Sequence, residues 1–358
     1  MSPRGVLDIA CAKLEHLERV LPAFPHTTRA GRWRTGEHGR WTGGFWIGLL
    51  WLAYLHTSAP AFREAAYRWT RRLAPRAADT TTHDMGFLFG PSCVTGYRIT
   101  GDPWFKDLAL EAARSLYSRY RPQGPFLPAW DEEGAPECEG LQIVDSVANL
   151  PLLVWAAGEA GRGEWREAAL AVARKIAVEH VRPDGSTIQV VEFDPHTGEV
   201  VRKRTHQGYS ADSCWSRGQA WASYGFANLS RYTGIPMFRE VAVMCARWFL
   251  EHLPPDAIPF WDFEAPAIPD EPRDAAAAAV AYAAAGLLRD HAAQQRLGQA
   301  LVEHCFEARP EPYQGLVRHA TADRPRNSAV DESTIYGDYY FLEGAFREVW
   351  PSRAALLY

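Results

Sequence analysis

Two aspartates of this chain lie in apolar stretches, where a carboxylate is poorly solvated. Asp84 is part of Thr-His-Asp-Met-Gly-Phe-Leu-Phe-Gly (82–90), and Asp145 lies within the largely apolar stretch 141–157. Poor solvation raises the pKa of a carboxyl group toward the range in which it works as a general acid. We therefore expect the pair to carry out acid/base chemistry on a sugar. The alternative is structural: each aspartate caps a helix or accepts buried hydrogen bonds.

The densest polar and aromatic stretch is 205–225, a loop that continues into a helix. Arg217 and Trp221 are four positions apart and share one helix face. A guanidinium presents two parallel donors to a carboxylate, so Arg217 is a candidate for binding an acidic sugar. The candidate substrate-binding residues of this stretch are His206, Gln207, Trp215, Arg217 and Trp221. In the structural alternative, Arg217 pairs with a helix end and Trp221 belongs to the core.

The composition argues against several classes of function. Net charge is −5, and the 38 basic residues are scattered along the chain, so we expect neither nucleic-acid nor membrane binding. The first residues lack an apolar signal core, and the stretch 45–55 is too short to span a bilayer. Six widely spaced cysteines without a CxxC pair fit reduced thiols in a cytoplasmic protein. Without metal-ligand spacing or a phosphate-binding glycine loop, we expect no metal and no cofactor.

A weak internal repeat predicts the architecture. Residues 100–109 and 233–242 share the pattern Thr-Gly-x-Pro-x-Phe-basic-acidic-aliphatic-Ala, and looser copies occur at 57–66 and 160–169. Glycine ends a helix by adopting a left-handed conformation, and proline suits the first turn of the next helix. Each copy therefore predicts a hinge between two helices.

The hinges and the hydrophobic periodicity together predict about twelve helices. The expected ranges are 6–21, 44–56, 61–74, 85–99, 103–119, 144–159, 163–181, 215–232, 236–252, 273–289, 291–307 and 333–348. Twelve helices in six hairpins predict an all-α fold, an (α/α)6 toroid formed by one catalytic domain over 1–358. The inner helices are expected at 85–99, 144–159, 215–232 and 273–289, with the site at their N-terminal ends. Segments 187–193 and 200–204 predict a small β-hairpin insert. A bundle split into two domains is the alternative.

Five segments, in order, resemble the unsaturated glucuronyl hydrolases of glycoside hydrolase family 88. They are Thr-His-Asp-Met-Gly-Phe (82–87), Ile-Val-Asp-Ser-Val-Ala-Asn-Leu-Pro-Leu-Leu (143–153), Thr-His-Gln-Gly-Tyr (205–209), Trp-Ser-Arg-Gly-Gln-Ala-Trp (215–221) and Ile-Tyr-Gly-Asp-Tyr-Tyr-Phe-Leu-Glu (335–343). The aromatic segment 41–46 is similar to one near the family's N-terminus. The resemblance covers nearly the whole chain and implies an (α/α)6 barrel. The chain departs from it at Ile188-Gln189-Val190, where some relatives carry a histidine.

The resemblance also implies a reaction and a set of roles. The family hydrates the C4=C5 double bond of a 4-deoxy uronic acid at the non-reducing end of a lyase-generated oligosaccharide, and the glycosidic bond is lost as a consequence. By this resemblance Asp145 is the general acid/base, Asp84 is the second carboxylate, and the partner is an unsaturated oligosaccharide. The substrate-binding residues that it implies are Trp41, His206, Gln207, Trp215, Arg217, Trp221 and Tyr336.

Two other functions stay open at this point. A sugar epimerase on the same toroid would use paired histidines as proton shuttles, and the chain offers His83 and His206. A non-catalytic glycan-binding toroid would explain the tryptophans and Arg217, but it would leave the two aspartates without a role.

Overall fold

The helices form two concentric rings. The structure, a computed structural model, describes residues 1–131 and 136–358. Within that part of the chain, the inner ring consists of α2 (Gly43–Thr57), α4 (Met85–Phe89) with its continuation α5 (Thr95–Thr100), α7 (Ser146–Ala160), α9 (Ser216–Thr233), α11 (Ala275–Leu288) and α13 (Ile335–Val349). Most of their residues are buried. Neighbouring inner helices pack side by side, and α13 packs on α2 to close the ring. This is the expected (α/α)6 toroid.

The outer ring covers the inner one with amphipathic helices. Over the described residues it consists of α1 (Pro3–Val20), α3 (Pro60–Leu73), α6 (Pro103–Ser118), α8 (Gly163–Glu179), α10 (Pro236–Glu251) and α12 (His291–His304). In α8, Trp165, Ala169 and Val172 are buried, whereas Glu167 and Arg174 are exposed. This spacing places one apolar stripe against the inner ring. The four inner helices expected from the sequence are confirmed, and α2 and α13 join them.

A threonine holds the turn in the two copies of the repeat that are most alike, 100–109 and 233–242. Thr100, at the end of α5, donates from its hydroxyl to the Gly96 carbonyl (2.8 Å) and accepts from the Asp102 amide (3.1 Å). Thr233, at the end of α9, makes the equivalent two bonds, to the Leu229 carbonyl and from the Ile235 amide. Gly101 then adopts a φ of 71°, where a residue with a Cβ would be strained. The repeat is therefore a structural device that turns one helix into the next.

One expected helix, over 85–99, is broken into three segments. α4 ends at Phe89, Gly90–Val94 form a π-helical turn, and α5 follows. Pro91 lies in this turn and has no N–H to donate, which explains the break. The helix predicted over 85–99 therefore lies where it was expected, but the prediction that it is continuous was wrong.

Two small sheets accompany the helices, rather than one hairpin. The expected hairpin is present as β4 (Val190–Phe193) and β5 (Val200–Arg204), and β3 (Leu141–Ile143) pairs with β4 just before Asp145. The sequence pattern did not indicate a second hairpin, β1 (Phe24–Arg29) and β2 (Arg32–Gly36), because its strands are short and mostly polar. None of the helices in the described part of the chain is long and apolar enough to cross a membrane.

Candidate active site

A cavity of about 250 Å³ opens where the inner helices begin. It is lined by residues from helix starts and connecting loops: Trp41, His83, Asp84, Trp130, Ile143, Asp145, His206, Gln207, Trp215, Arg217, Trp221 and Asp323. A larger cavity of about 800 Å³ lies elsewhere, among residues of α1, α11, α12 and α13. The structure thus brings all but one of the expected site residues to one cavity, and Tyr336 lies beneath it.

Both aspartates occupy N-cap positions without capping their helices. Asp84 immediately precedes α4, and Asp145 immediately precedes α7. In the described residues, neither carboxylate accepts a capping hydrogen bond from the first turn of its helix. The capping alternative is therefore wrong for both side chains, and each carboxylate is left to face the cavity.

Asp145 is a buried carboxyl group on the cavity wall. The residue is 8% exposed, and its Oδ1 has no hydrogen-bond partner among the described residues. Burial raises the pKa of Asp145 to about 7; the Arg217 guanidinium opposes this rise, and the Asp84 carboxylate adds to it. A carboxyl group with this pKa keeps a proton near neutral pH, so it can donate that proton to a bound substrate.

Asp84 is the second buried acid of the cavity. Burial raises the pKa of Asp84 to about 7, although the Thr82 hydroxyl, which donates to Oδ2 at 2.7 Å, lowers it. The Nε2 atom of His83 is 3.4 Å from Oδ1 of Asp84. Burial lowers the pKa of His83 to about 3, so this imidazole is neutral. Two interacting acids of this kind titrate as a pair, in which one is ionised while the other keeps its proton.

Two hydrogen bonds tie the start of α4 to the start of α7 and thereby fix the separation of the aspartates. Ser146 Oγ and His83 Nδ1 are 2.9 Å apart. The Asn149 side-chain oxygen accepts from the Phe87 amide, also at 2.9 Å. Gly86 permits this close approach, because a Cβ at that position would lie 2.5 Å from the Asn149 Cα. The motifs around both aspartates therefore serve to set the geometry of the pair.

The Arg217 guanidinium is bonded to protein atoms. It pairs with the Asp274 carboxylate and donates to the carbonyls of Thr321 (2.6 Å) and Ala322 (2.5 Å). Asp274 is the N-cap of α11, so Arg217 is a buried partner at a helix end, as the structural alternative proposed. Its nearby charge also lowers the pKa of Asp145. Arg217 therefore supplies positive charge beside the cavity rather than an uncommitted two-donor clamp.

Aromatic rings surround the two acids. The rings of Trp41 and Tyr336 stack with centroids 5.0 Å apart and planes 29° apart. Trp221 lies 6.3 Å from Tyr336, centroid to centroid. The Trp215 ring lies 4.6 Å from the Arg217 guanidinium carbon. Because Tyr336 is only 1% exposed, it supports the Trp41 ring rather than facing the cavity.

Gln189 holds the loop that carries the next two site residues. Its side-chain oxygen accepts three hydrogen bonds from this loop, including those from the amides of His206 and Gln207, both at 2.8 Å. Its nitrogen donates to the Gln207 side-chain oxygen at 2.9 Å. The Gln207 nitrogen in turn donates to the Ala322 carbonyl at 2.9 Å. The Gln207 amide is thus held at both ends, and Gln189 fixes the shape of this part of the cavity.

Four further lining residues were not among the catalytic and substrate-binding residues expected for the hydrolase. His83 could have been inferred from the sequence, because it directly precedes Asp84 in the same motif. Ile143 ends β3. Trp130 lies with its ring 5.3 Å from that of His206. Asp323 pairs with Arg326 at 2.8 Å in another loop. Residues in such loops reach the cavity through tertiary contacts that hydrophobic periodicity does not report.

Comparisons with known proteins point to one family. The sequence model of Glycosyl Hydrolase Family 88 matches residues 16–242. An unsaturated glucuronyl hydrolase from Bacillus sp. (strain GL1) is 36% identical over 365 residues, which cover 97% of this chain and 96% of the relative. An unsaturated chondroitin disaccharide hydrolase from Streptococcus pneumoniae is 32% identical over 330 residues, with coverage of 87% and 82%. The crystal structure of the unsaturated glucuronyl hydrolase from Bacillus sp. GL1 aligns with a TM-score of 0.93 at 33% identity, covering 98% of this chain and 97% of that one.

Proposed function

This chain belongs to glycoside hydrolase family 88, and we propose that it removes a 4,5-unsaturated uronic acid from the non-reducing end of lyase-generated oligosaccharides by hydrating the double bond. The observation that carries this proposal is the proton-bearing, partly unpartnered Asp145 in a cavity with a second acid. The relatives are named for unsaturated glucuronyl and chondroitin disaccharide substrates. We therefore infer that fragments of glycosaminoglycans are the substrates of this chain.

Asp145 acts first as an acid and then as a base. Its carboxyl proton adds to C4, the π electrons of the C4=C5 bond form the new C–H bond, and the ring oxygen stabilises the positive charge at C5. The resulting carboxylate takes a proton from water, whose oxygen bonds to C5. The hemiketal formed in this way opens to a ketone, and the hemiacetal left at C1 expels the aglycone sugar. Positioned proton transfer of this kind contributes roughly 10²–10⁴-fold in rate.

Asp84 is the second carboxylate of the mechanism. Because it carries negative charge near Asp145, it favours the protonated form of that acid. Its position beside the neutral His83 also suits it to accept hydrogen bonds from sugar hydroxyls. In this proposal Asp84 both helps to keep the proton on Asp145 and orients the sugar ring.

Positive charge at the helix starts attracts the carboxylate of the substrate. The N-terminal ends of α2, α7 and α9 contribute Trp41, Asp145 and Trp215 to the cavity lining, and a helix N-terminus favours a nearby anion. Arg217 adds a buried guanidinium at the wall. Trp41, which is only partly buried, offers an apolar ring face for sugar stacking, and Tyr336 supports that ring. Trp215 and Trp221 are buried in the wall behind it, so Trp221 belongs to the core as the structural alternative proposed. His206 and Gln207 also line the cavity and lie in the family's substrate-binding stretch.

We also propose that residues 1–358 act as one catalytic domain in the cytoplasm. The continuous ring of inner helices, closed by α13 on α2, supports one domain. All six cysteines are buried, and Cys11, Cys93, Cys214, Cys245 and Cys305 are free thiols, which suits a reducing compartment. Limited proteolysis tests the single domain, which should give a resistant core of full length. Fractionation of the native cells tests the cytoplasmic location.

The ultraviolet absorbance of the C4=C5 bond tests the proposed function directly. Purified protein is mixed with a panel of unsaturated disaccharides from lyase digests of chondroitin, hyaluronan and heparin. Loss of absorbance together with release of the second sugar is the expected result. Binding without loss of absorbance would support the glycan-binding alternative, and proton exchange into a saturated amino sugar would support the epimerase. Absence of bleaching with every unsaturated uronide would overturn the proposal.

A further inference from the structure

Arg119 is a buried cation behind the cavity that the mechanism does not use. It follows the last residue of α6, and its side chain is 4% exposed. Its guanidinium donates to two backbone carbonyls, that of Pro128 at 2.9 Å and that of Thr80. It also makes a two-point ion pair with Asp131, at 3.1 and 2.9 Å. One side chain therefore holds two separate segments of the chain.

The two segments held by Arg119 are also bonded to each other. The His83 amide donates to the Ala129 carbonyl, and the Asp131 amide donates to the Thr81 carbonyl, both at 2.8 Å. The Ala129 amide bonds to the Leu141 carbonyl at 2.8 Å, which extends the pairing to β3. Each segment leads into the cavity: one ends in His83 and Asp84, one carries Trp130, and β3 leads to Asp145.

Trp130 depends on Arg119 more than the aspartates do. The aspartates are tied together by the Ser146 and Asn149 bonds described above. Trp130 lies between Pro128 and Asp131, whose carbonyl and carboxylate are both bonded to Arg119. Its ring lies opposite His206 on the cavity wall. A shift of residues 128–131 would therefore displace the Trp130 ring more than it displaces Asp84 and Asp145.

We propose that Arg119 is a positioning residue for substrate binding: by holding Thr80, Pro128 and Asp131, it fixes the Trp130 wall of the cavity. The assignment rests on the proposed function only for the identity of the ligand. Arg119 itself touches no substrate. Its loss acts on affinity, because the acid that delivers the proton is held by other bonds.

The test measures binding and turnover separately. Affinity is measured by calorimetry with unsaturated chondroitin disaccharide, in an Asp145→Asn background that keeps the ligand intact. Three substitutions are each combined with Asp145→Asn: Asp131→Asn, Arg119→Lys and Arg119→Met. Arg121→Met is the matched control. Arg121 lies two residues away, and its side chain bonds to the carbonyls of Ser118 and Arg119 instead. Asp131 has a 59% exposed side chain, so its substitution leaves the core packed.

Asp131→Asn and Arg119→Met are expected to weaken binding about tenfold or more, the usual effect of losing charge-assisted hydrogen bonds. Arg119→Lys retains part of the bonding and falls between them and the parent, while Arg121→Met binds like the parent. In the enzyme with Asp145 intact, Asp131→Asn raises KM and leaves kcat nearly unchanged. A lower apparent kcat at unchanged KM would mean mere loss of folded protein and would overturn the proposal. Unchanged affinity in folded Asp131→Asn would overturn it as well. Failure of the parent enzyme to bleach any substrate would instead refute the proposed function, and the affinities would still decide the role of Arg119.

Discussion

Two buried acids of the toroid, Asp145 at the mouth and Glu343 in the interior, differ in how fully their carboxyl oxygens are hydrogen-bonded. Glu343, fully buried in α13, accepts from the Tyr224 hydroxyl at 3.2 and 3.1 Å and from the Arg347 Nε at 2.8 Å. Asp145 at the mouth has a buried oxygen without a hydrogen-bond partner in the described residues. A buried ion pair is costly to break because removing one partner leaves the other charge uncompensated, whereas an unpartnered carboxyl group keeps its proton and stays reactive. Burial of a carboxyl group thus serves stability in the interior and proton transfer at the mouth.

The largest expected effect comes from removing the proton donor at the mouth. Asp145→Asn should lower kcat by roughly 10²–10⁴-fold, because an amide cannot deliver the proton to C4. The measurement is bleaching of an unsaturated disaccharide at saturating concentration. Asp212→Asn is the matched control, since Asp212 lies exposed in the loop before α9. Retention of near-parent turnover in Asp145→Asn would assign the acid to another group.

The same exchange in the interior should act on stability instead. Glu343→Gln leaves the buried Arg347 without its anionic partner, which costs about 3–5 kcal/mol of unfolding free energy. Urea unfolding followed by circular dichroism measures this loss. The kcat per folded molecule should be unchanged, because Glu343 lies outside the cavity lining. If Glu343→Gln were as stable as the parent, the contrast between the two regions would lose its physical basis.

Asp145→Asn should also stabilise the fold in alkaline solution. The pKa of Asp145 is about 7 when folded, against 3.8 for an unperturbed aspartate. The folded state therefore binds this proton more tightly, and the parent loses stability as pH rises from about 4 to about 7. The difference corresponds to at most about 4 kcal/mol above pH 7, and asparagine removes it. Unfolding curves at pH 4.5 and pH 8 should show a gain for the variant only at the higher pH; an equal gain at both would contradict the assignment.

A methyl group at Gly86 should disturb the acid pair with a smaller effect. Gly86→Ala would place a Cβ 2.5 Å from the Asn149 backbone and push α4 away from α7. A displacement of about 1 Å at reacting groups costs about 10²-fold in rate. Gly158→Ala is the control, because the described atoms leave open space around that position in α7. The control should keep full kcat and gain up to about 1 kcal/mol from helix propensity. Equal kcat in the two variants would show that the α4–α7 contact does not set the geometry.

Local rules predicted most helices, whereas partners distant in sequence stayed hidden. The hinge at Thr100 and the acids at Asp84 and Asp145 were readable, because capping, turn chemistry and apolar context act over a few residues. The pairing of Arg217 with Asp274 was not, since it joins positions 57 apart in the chain. The role of Gln189 as the support of its loop was hidden for the same reason. Proline chemistry explains the break in the helix at Pro91, but periodicity alone predicted continuity.

The proton on Asp145 can be observed directly by infrared difference spectroscopy between pH 5 and pH 9. The parent protein should show a protonated-carboxyl band that disappears with a midpoint near pH 7, because burial holds the pKa of Asp145 at about 7. Asp145→Asn should lose part of this band, because burial also raises the pKa values of Asp84 and Asp338 to about 7, whereas the Asp212→Asn control should keep all of it. A parent spectrum identical to that of Asp145→Asn, or a midpoint near pH 4, would contradict the claim that this cavity stores the catalytic proton.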